Sequence, residues 1–168
     1  MRHLKLIKPA EADTSQLQIA FASSDRTQVD QHFGAAEAFV IYSLSATGYQ
    51  VAEVAEFSGN DTLRDKQEGK LEAKVKLLRG CAAVYCIAIG ASAIRQLLAE
   101  GVQPLKVEQG ELIEDLLKQL NLCWQEAPPV WLTRALRQQH NARPADQRFT
   151  AMLAEGWQEG LQEDWPAC

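Results

Sequence analysis

Residues 81–89, Cys-Ala-Ala-Val-Tyr-Cys-Ile-Ala-Ile, form a continuous apolar run ended by Gly90. A short run of this kind is that of a strand buried on both faces of a sheet. Helical periodicity flanks it on both sides. Leu71, Val75 and Leu78 recur at helical spacing in a segment around 66–79, and Ile94, Leu97 and Leu98 form an apolar stripe directly after Gly90, with Gly101 as the stop. The remaining elements attach to this unit. LQIAFA (17–22) alternates Leu17, Ile19 and Phe21 on one face and predicts a strand, and the polar run 24–32 then forces a loop. EAFVIYSL predicts a second strand, SATG a hairpin turn, and YQVAEVAEF a third strand. SGNDTLRD is a loop by its Gly-Asn-Asp content. VQPLKV predicts a fifth strand, and Pro104, which cannot donate to a ladder, puts it at or near a sheet edge. A helix from about Glu111 to Asn121 turns Leu112, Ile113, Leu116, Leu117 and Leu120 inward.

This order predicts an α/β fold: a mixed five-stranded sheet with flanking helices, a hairpin on one side and helical crossovers on the other. Residues 1–16 read as a polar, flexible N-terminal leader, and 17–122 as one α/β domain. Residues 123–168 read as a helical C-terminal extension. Within it PPVWLTRALRQQH and ADQRFTAMLAEGWQEGLQEDW are amphipathic and divided at NARP; Trp131, Trp157 and Trp165 lie there, and Trp124 just precedes them. An apolar arm of this type either packs on the body or offers a surface to a partner.

A net charge of −5 argues against a nucleic-acid protein, whose phosphate contacts need a basic balance. No segment reaches the roughly 20 apolar residues that span a bilayer, and the N-terminal residues lack the apolar stretch of a signal peptide, so the expected location is the cytoplasm, without nucleic acid or membrane as partner. Cys81, Cys86, Cys123 and Cys168 show no CxxC or other close metal-ligand spacing and read mainly as small core residues. On one regular strand, Cys81 and Cys86 would face opposite sides.

The usual enzyme constellations are missing from the sequence: no nucleophile elbow, no HExxH helix, no Gly-rich phosphate loop and no carboxylate on the first strand. One histidine stands out. His32, in Ser-Asp-Arg-Thr-Gln-Val-Asp-Gln-His-Phe-Gly (24–34), follows a strand end, where α/β sheets place ligand loops. A loop histidine can simply cap a turn. Here Asp30 could fix the ring tautomer and leave the other nitrogen for a metal, and Gly34 would let a bulky ligand approach the backbone. Between Arg64 and Arg79 six basic residues face three acidic ones, either as a solvated helix surface or as an anion-attracting patch on an acidic protein. The Ile-Gly-Ala-Ser turn (89–92) opens a helix whose first amides can face an anion.

The segments IAFASSD (19–25), VDQHFG (29–34), FVIY (39–42), CIAIGASAI (86–94), GVQPLKV (101–107) and PPVWL (128–132) resemble the NifX/NafY type of nitrogenase cofactor carriers, the dinitrogenase iron-molybdenum cofactor biosynthesis domain. Chain length and PPVWL favour the NifX type. The resemblance covers about 17–140. It implies an RNase H-like sheet without nuclease or other enzymatic activity. It also implies transient binding of an iron-sulfur precursor cluster (the NifB cofactor) or the iron-molybdenum cofactor. The implied partners are the cofactor assembly scaffold, the cluster-synthesising protein and apo-nitrogenase. By the resemblance His32 is the cluster ligand and sole metal-binding candidate. The cofactor-binding candidates are then Ser24, Asp30, His32, Phe33 and Gly34 from the loop, Gly90, Ala91 and Ser92 from the helix start, and Lys66 and Lys70 from the basic segment. The family often has a glycine pair where this chain has Gly90-Ala91. A protein-interaction chaperone acting through the tryptophan-rich extension is the other reading.

Overall fold

The computed structural model describes residues 15–57 and 67–142. Residues 1–14 of the leader, Lys66, Trp157, Trp165 and Cys168 lie outside the described residues. The chain divides after Leu136 into two compact units, and the account below concerns the first.

Five strands form the main sheet: β1 (Leu17–Ala22), β3 (Ala38–Ser45), β4 (Gly48–Glu56), β5 (Cys81–Cys86) and β6 (Gln103–Lys106), in the order β4-β3-β1-β5-β6. The sheet is mixed, as the sequence predicts. β3 and β4 form an antiparallel hairpin closed at Ser45 and Gly48, β1 runs antiparallel to β3, and β5 and β6 run parallel to β1. Parallel neighbours need crossovers, which α1 (Gln67–Leu77) and α2 (Ala91–Ala99) supply. Pro104 does lie on an edge strand.

All six residues of β5 are buried because helices cover both faces of the sheet. On one face Ile19, Phe21, Ala83 and Tyr85 pack with Ile113, Leu117 and Leu120 of α3 (Ile113–Glu126) and Leu132 of α4 (Val130–Ala142). Phe21 stacks on Tyr85 with centroids 5.1 Å apart and meets Tyr42 edge-on at 5.8 Å. On the other face Ala20, Phe39, Ile41 and Val84 meet Val75 and Leu78 near the end of α1, and Ala93 and Leu97 of α2.

The structure corrects the sequence reading in several places. Leu98 is exposed because α2 buries the line Ala93–Leu97 and turns Leu98 off it. Leu112 is exposed because it belongs to a two-residue strand, β7 (Glu111–Leu112), that precedes α3 and pairs with β2 (Gln28–Val29). This small second sheet has no sequence signature, since two residues cannot show alternation. α3 also runs unbroken past residue 122 to Glu126, and Trp124 and Leu132 are buried in the core. The first part of the extension therefore packs on the body.

Cys81 and Cys86 lie in the same core cluster rather than on opposite faces. Gln18 pairs with Cys81 and Ile19 with Ala83, so Ala82 is an extra, bulged residue that resets the alternation. Five residues along a strand still separate the two by roughly 16 Å, too far to share a metal. Burial, and secondarily Glu53, pushes the Cys81 thiol up to about 12, and burial pushes Cys86 up to about 11. Both remain thiols at neutral pH.

Two outcomes follow from this packing. Leu132→Ala should destabilise the protein by about 2–5 kcal/mol in urea unfolding, the cost of an emptied core site; a loss near zero would mean that α4 is not part of the core. The folded state holds the two thiol protons longer than the unfolded chain, whose thiols titrate near 9.0. The thiol contribution is therefore intact below that pH and declines as pH rises toward the folded values. Unfolding midpoints measured from neutral to about pH 10.5 should show this decline, and Cys81→Ala with Cys86→Ala should flatten it.

Candidate functional site

Because β1, β5 and β6 are parallel, the loops after them emerge at one edge of the sheet: 23–36, 87–90 and 107–110. Backbone hydrogen bonds bind these loops together. The Ile87 amide donates to the Gln31 carbonyl at 3.1 Å, and the Phe33 amide to the Ala88 carbonyl at 2.9 Å, so both neighbours of His32 are fastened to the chain leaving β5. The Val107 amide donates to the Cys86 carbonyl, and the Gly110 amide to the Val29 carbonyl, each at 3.0 Å. β2 and β7 are the visible part of this stitching.

Side chains shape the loop from within. Ser23, fully buried, donates its hydroxyl to Asp25 and accepts from the Arg26 amide at 2.9 Å. The Asp25 carboxylate also accepts from the Thr27 and Gln28 amides, at 2.8 and 3.1 Å, and these two bonds, in that order, hold its carboxyl below the usual carboxylate range. Arg26 takes a left-handed backbone with φ 66, uncommon outside glycine, and its guanidinium pairs with Glu56 at 2.5 Å.

Asp30 closes the loop on Ser24, whose amide donates to one carboxylate oxygen at 2.9 Å and whose hydroxyl donates to the other. This revises the expected role of Asp30. Both oxygens are engaged by Ser24, and no hydrogen bond joins Asp30 to His32 among the described residues. Phe33 is also revised. Its ring is fully buried and packs against Phe39 with centroids 5.5 Å apart, so it anchors the loop in the core instead of facing a ligand. His32, between the two, is exposed. Gly34 is exposed as well, and a Cβ built on it would meet nothing within 4 Å.

Gly90, Ala91 and Ser92 are exposed at the start of α2, just beyond the Ile87-Ala88 stretch that holds the His32 loop. Gly90 is in extended conformation, no side chain caps the helix, and a Cβ on Gly90 would also meet open space. A shallow depression at the same edge is lined by Ile87, Lys106, Val107, Glu108 and Gln109. The sequence reading passed over these last four, although a third parallel strand must deliver its following loop to the same edge.

The basic segment is less open than its composition suggests. Lys76 pairs with Glu72 at 2.9 Å, and Arg79 makes two 2.9 Å bonds to Glu100. Lys74 is buried, and its amine donates to the carbonyls of Phe33 at 3.3 Å and Gly34 at 2.6 Å. Lys70, one turn earlier on α1, has no ion pair among the described residues. The two cysteines of β5 are buried thiols, and among the described residues no three His, Cys, Asp or Glu side chains gather into a metal-ion cage. What the edge offers is one exposed imidazole on a firmly held loop.

A small mixed α/β domain with its loops gathered at one sheet edge is the class this geometry defines. The chain belongs to the dinitrogenase iron-molybdenum cofactor family, whose profile matches residues 15–122. It is 47% identical to Protein NifX of Azotobacter vinelandii over 150 residues, 89% of this chain and 92% of that protein. It is 34% identical to Protein NifX of Klebsiella pneumoniae, over 86% of this chain and 85% of that one. A 101-residue stretch, 58% of this chain, is 35% identical to part of the FeMo cofactor biosynthesis protein NifB of Azotobacter vinelandii, covering 20% of its length. The apo form of the orange protein from Desulfovibrio gigas shares the fold, with a TM-score of 0.50 at 20% identity over 67% of this chain and 92% of that one.

Since none of the described residues occupies the space beside Gly34, Gly34→Ala should leave folding within about 0.5 kcal/mol of the parent in thermal or urea unfolding. A larger loss would mean that the fold itself requires the glycine.

Proposed function

We propose that this chain is a non-enzymatic carrier in nitrogenase iron-molybdenum cofactor biosynthesis, which takes up an iron-sulfur precursor cluster (the NifB cofactor) or the finished iron-molybdenum cofactor at the His32 edge and hands it on. A role in that biosynthesis rests on the family and on relatives named NifX and NifB. The carrier reading rests on one structural observation: His32 is exposed while Gln31 and Phe33 on either side of it are hydrogen-bonded to Ile87 and Ala88. An imidazole is a competent ligand for iron, and one held in place binds without the cost of ordering its loop. A single protein ligand also releases readily, whereas a cage of thiolates would hold the cargo.

The surroundings suit an anionic, bulky cargo. Gly34, two residues from His32, and Gly90 leave open space, the first amides of α2 carry its positive end at the same edge, Lys106 lines the depression there, and Lys70 lies on α1 close enough to act on Lys74. Lys66 belongs to this set by sequence. The cluster-synthesising protein as donor and the assembly scaffold or apo-nitrogenase as acceptor complete the reading, and a cytoplasmic location accords with it. No helix among the described residues is long and apolar enough to cross a membrane.

Anaerobically purified protein mixed with the NifB cofactor and then desalted should retain stoichiometric iron and a charge-transfer absorbance; retention of neither would sink the carrier reading. His32→Ala should weaken retention on the order of tenfold, equivalent to about 1.4 kcal/mol, with little change in stability. Unchanged affinity would remove His32 from the site and leave the carrier function standing on other residues.

A further inference from the structure

Among the described residues Lys74 is the one buried charged side chain, at 6% relative exposure. It lies on α1 between Leu71 and Leu78, on the helix face that meets the core, where an apolar residue would be the ordinary choice. No carboxylate among the described residues neutralises it. Its amine instead donates to two consecutive main-chain carbonyls, Phe33 and Gly34, and lies 5.5 Å from the centroid of the Phe57 ring. Burial, with Lys70 contributing next, lowers the Lys74 pKa, as expected for an ammonium taken partly out of water. Burying a charge is costly unless hydrogen bonds offset it, and here those bonds go to the turn that follows His32.

We infer that Lys74 is a positioning residue for the cargo loop: its amine holds the carbonyls of Phe33 and Gly34 and thereby sets the direction in which His32 leaves the backbone. The inference rests on the carrier reading for its purpose, though not for its geometry. Ahead of His32, the Gln31 carbonyl is bonded to Ile87 and the Gln31 side chain accepts from the Glu37 amide at 3.0 Å. Behind it, the Phe33 amide is bonded to Ala88, and the next two carbonyls are held by Lys74. Without the amine, the 33–36 turn loses the two side-chain hydrogen bonds that tie it to α1 among the described residues, and a ligand loop displaced by a fraction of an ångström binds less well. The clamp also explains why the basic segment contributes less surface charge than its composition suggests, since one of its lysines is spent inside.

Four full-length variants decide the matter: Lys74→Met, Lys74→Gln, Lys76→Met as a surface control that breaks only the Glu72 pair, and Lys74→Met combined with His32→Ala. In the cargo-free protein, amide hydrogen exchange at residues 33–36 should rise about tenfold or more in both Lys74 variants and stay at the parent level in Lys76→Met. Unchanged exchange in whichever Lys74 variant folds would overturn the clamp. With the NifB cofactor as probe, the Lys74 variants should retain cluster about tenfold less well, the scale seen when the partner that orients a metal ligand is removed. Their effect should vanish in the His32→Ala background. An effect of equal size in both backgrounds would mean that Lys74 attracts the cargo by charge alone and would overturn the positioning role. If the parent protein retains no cluster, the carrier reading falls, and the exchange measurement still decides whether Lys74 holds the loop.

Discussion

The parallel pairing of β1 with β5 is the constraint on which the rest of this molecule depends. It places the carboxyl ends of both strands at one edge, so the loop after Ala22 and the turn after Cys86 leave the sheet side by side. The hydrogen bonds between residues 31–33 and 87–88 are a consequence of that adjacency, and so is the position of His32 beside the start of α2. The pairing has an irregularity that matters. The bulge at Ala82 resets the alternation of β5, so that Tyr85 stacks on Phe21 while Cys86 turns into the opposite core.

Rigidity of the His32 loop is built from short-range polar contacts and one long-range clamp. Asp25 gathers the amides of Thr27 and Gln28, Asp30 is bonded to Ser24, and the buried Phe33 ring ties the loop to the core. Lys74 then reaches in from α1 to the carbonyls behind His32. Every one of these groups holds the loop still, and the imidazole they surround is left exposed. The proposed carrier role would use this combination, because a preformed site binds without an ordering cost and a small number of ligands lets a cargo go.

Much of the fold was legible in the sequence. The all-apolar run of β5, the alternation of β1, the hairpin turn before Gly48 and the proline in β6 each reflect a local rule of burial or hydrogen bonding. The exposure of His32 and Gly34 at the sheet edge was legible because a polar loop after a strand end leaves the sheet there. The parts assigned differently were those whose role depends on a distant neighbour. Asp30 next to His32 in sequence suggested a pair, yet its carboxylate went to Ser24. Phe33 beside the histidine suggested contact with a ligand, yet its ring found Phe39.

The sequence by itself determined the order and type of the elements, because hydrophobic period and turn chemistry act over a few residues. It also determined that one histidine would stand on a loop after the first strand, with a basic helix later in the chain. Only the tertiary structure decided which of those basic residues face solvent. Lys74, Lys76 and Arg79 are alike in composition, but packing α1 against the sheet turned the first inward to the Phe33 and Gly34 carbonyls and left the others to pair with Glu72 and Glu100. A partner 40 residues away along the chain leaves no mark on local pattern, since what joins Lys74 to Gly34 is proximity in the folded state alone.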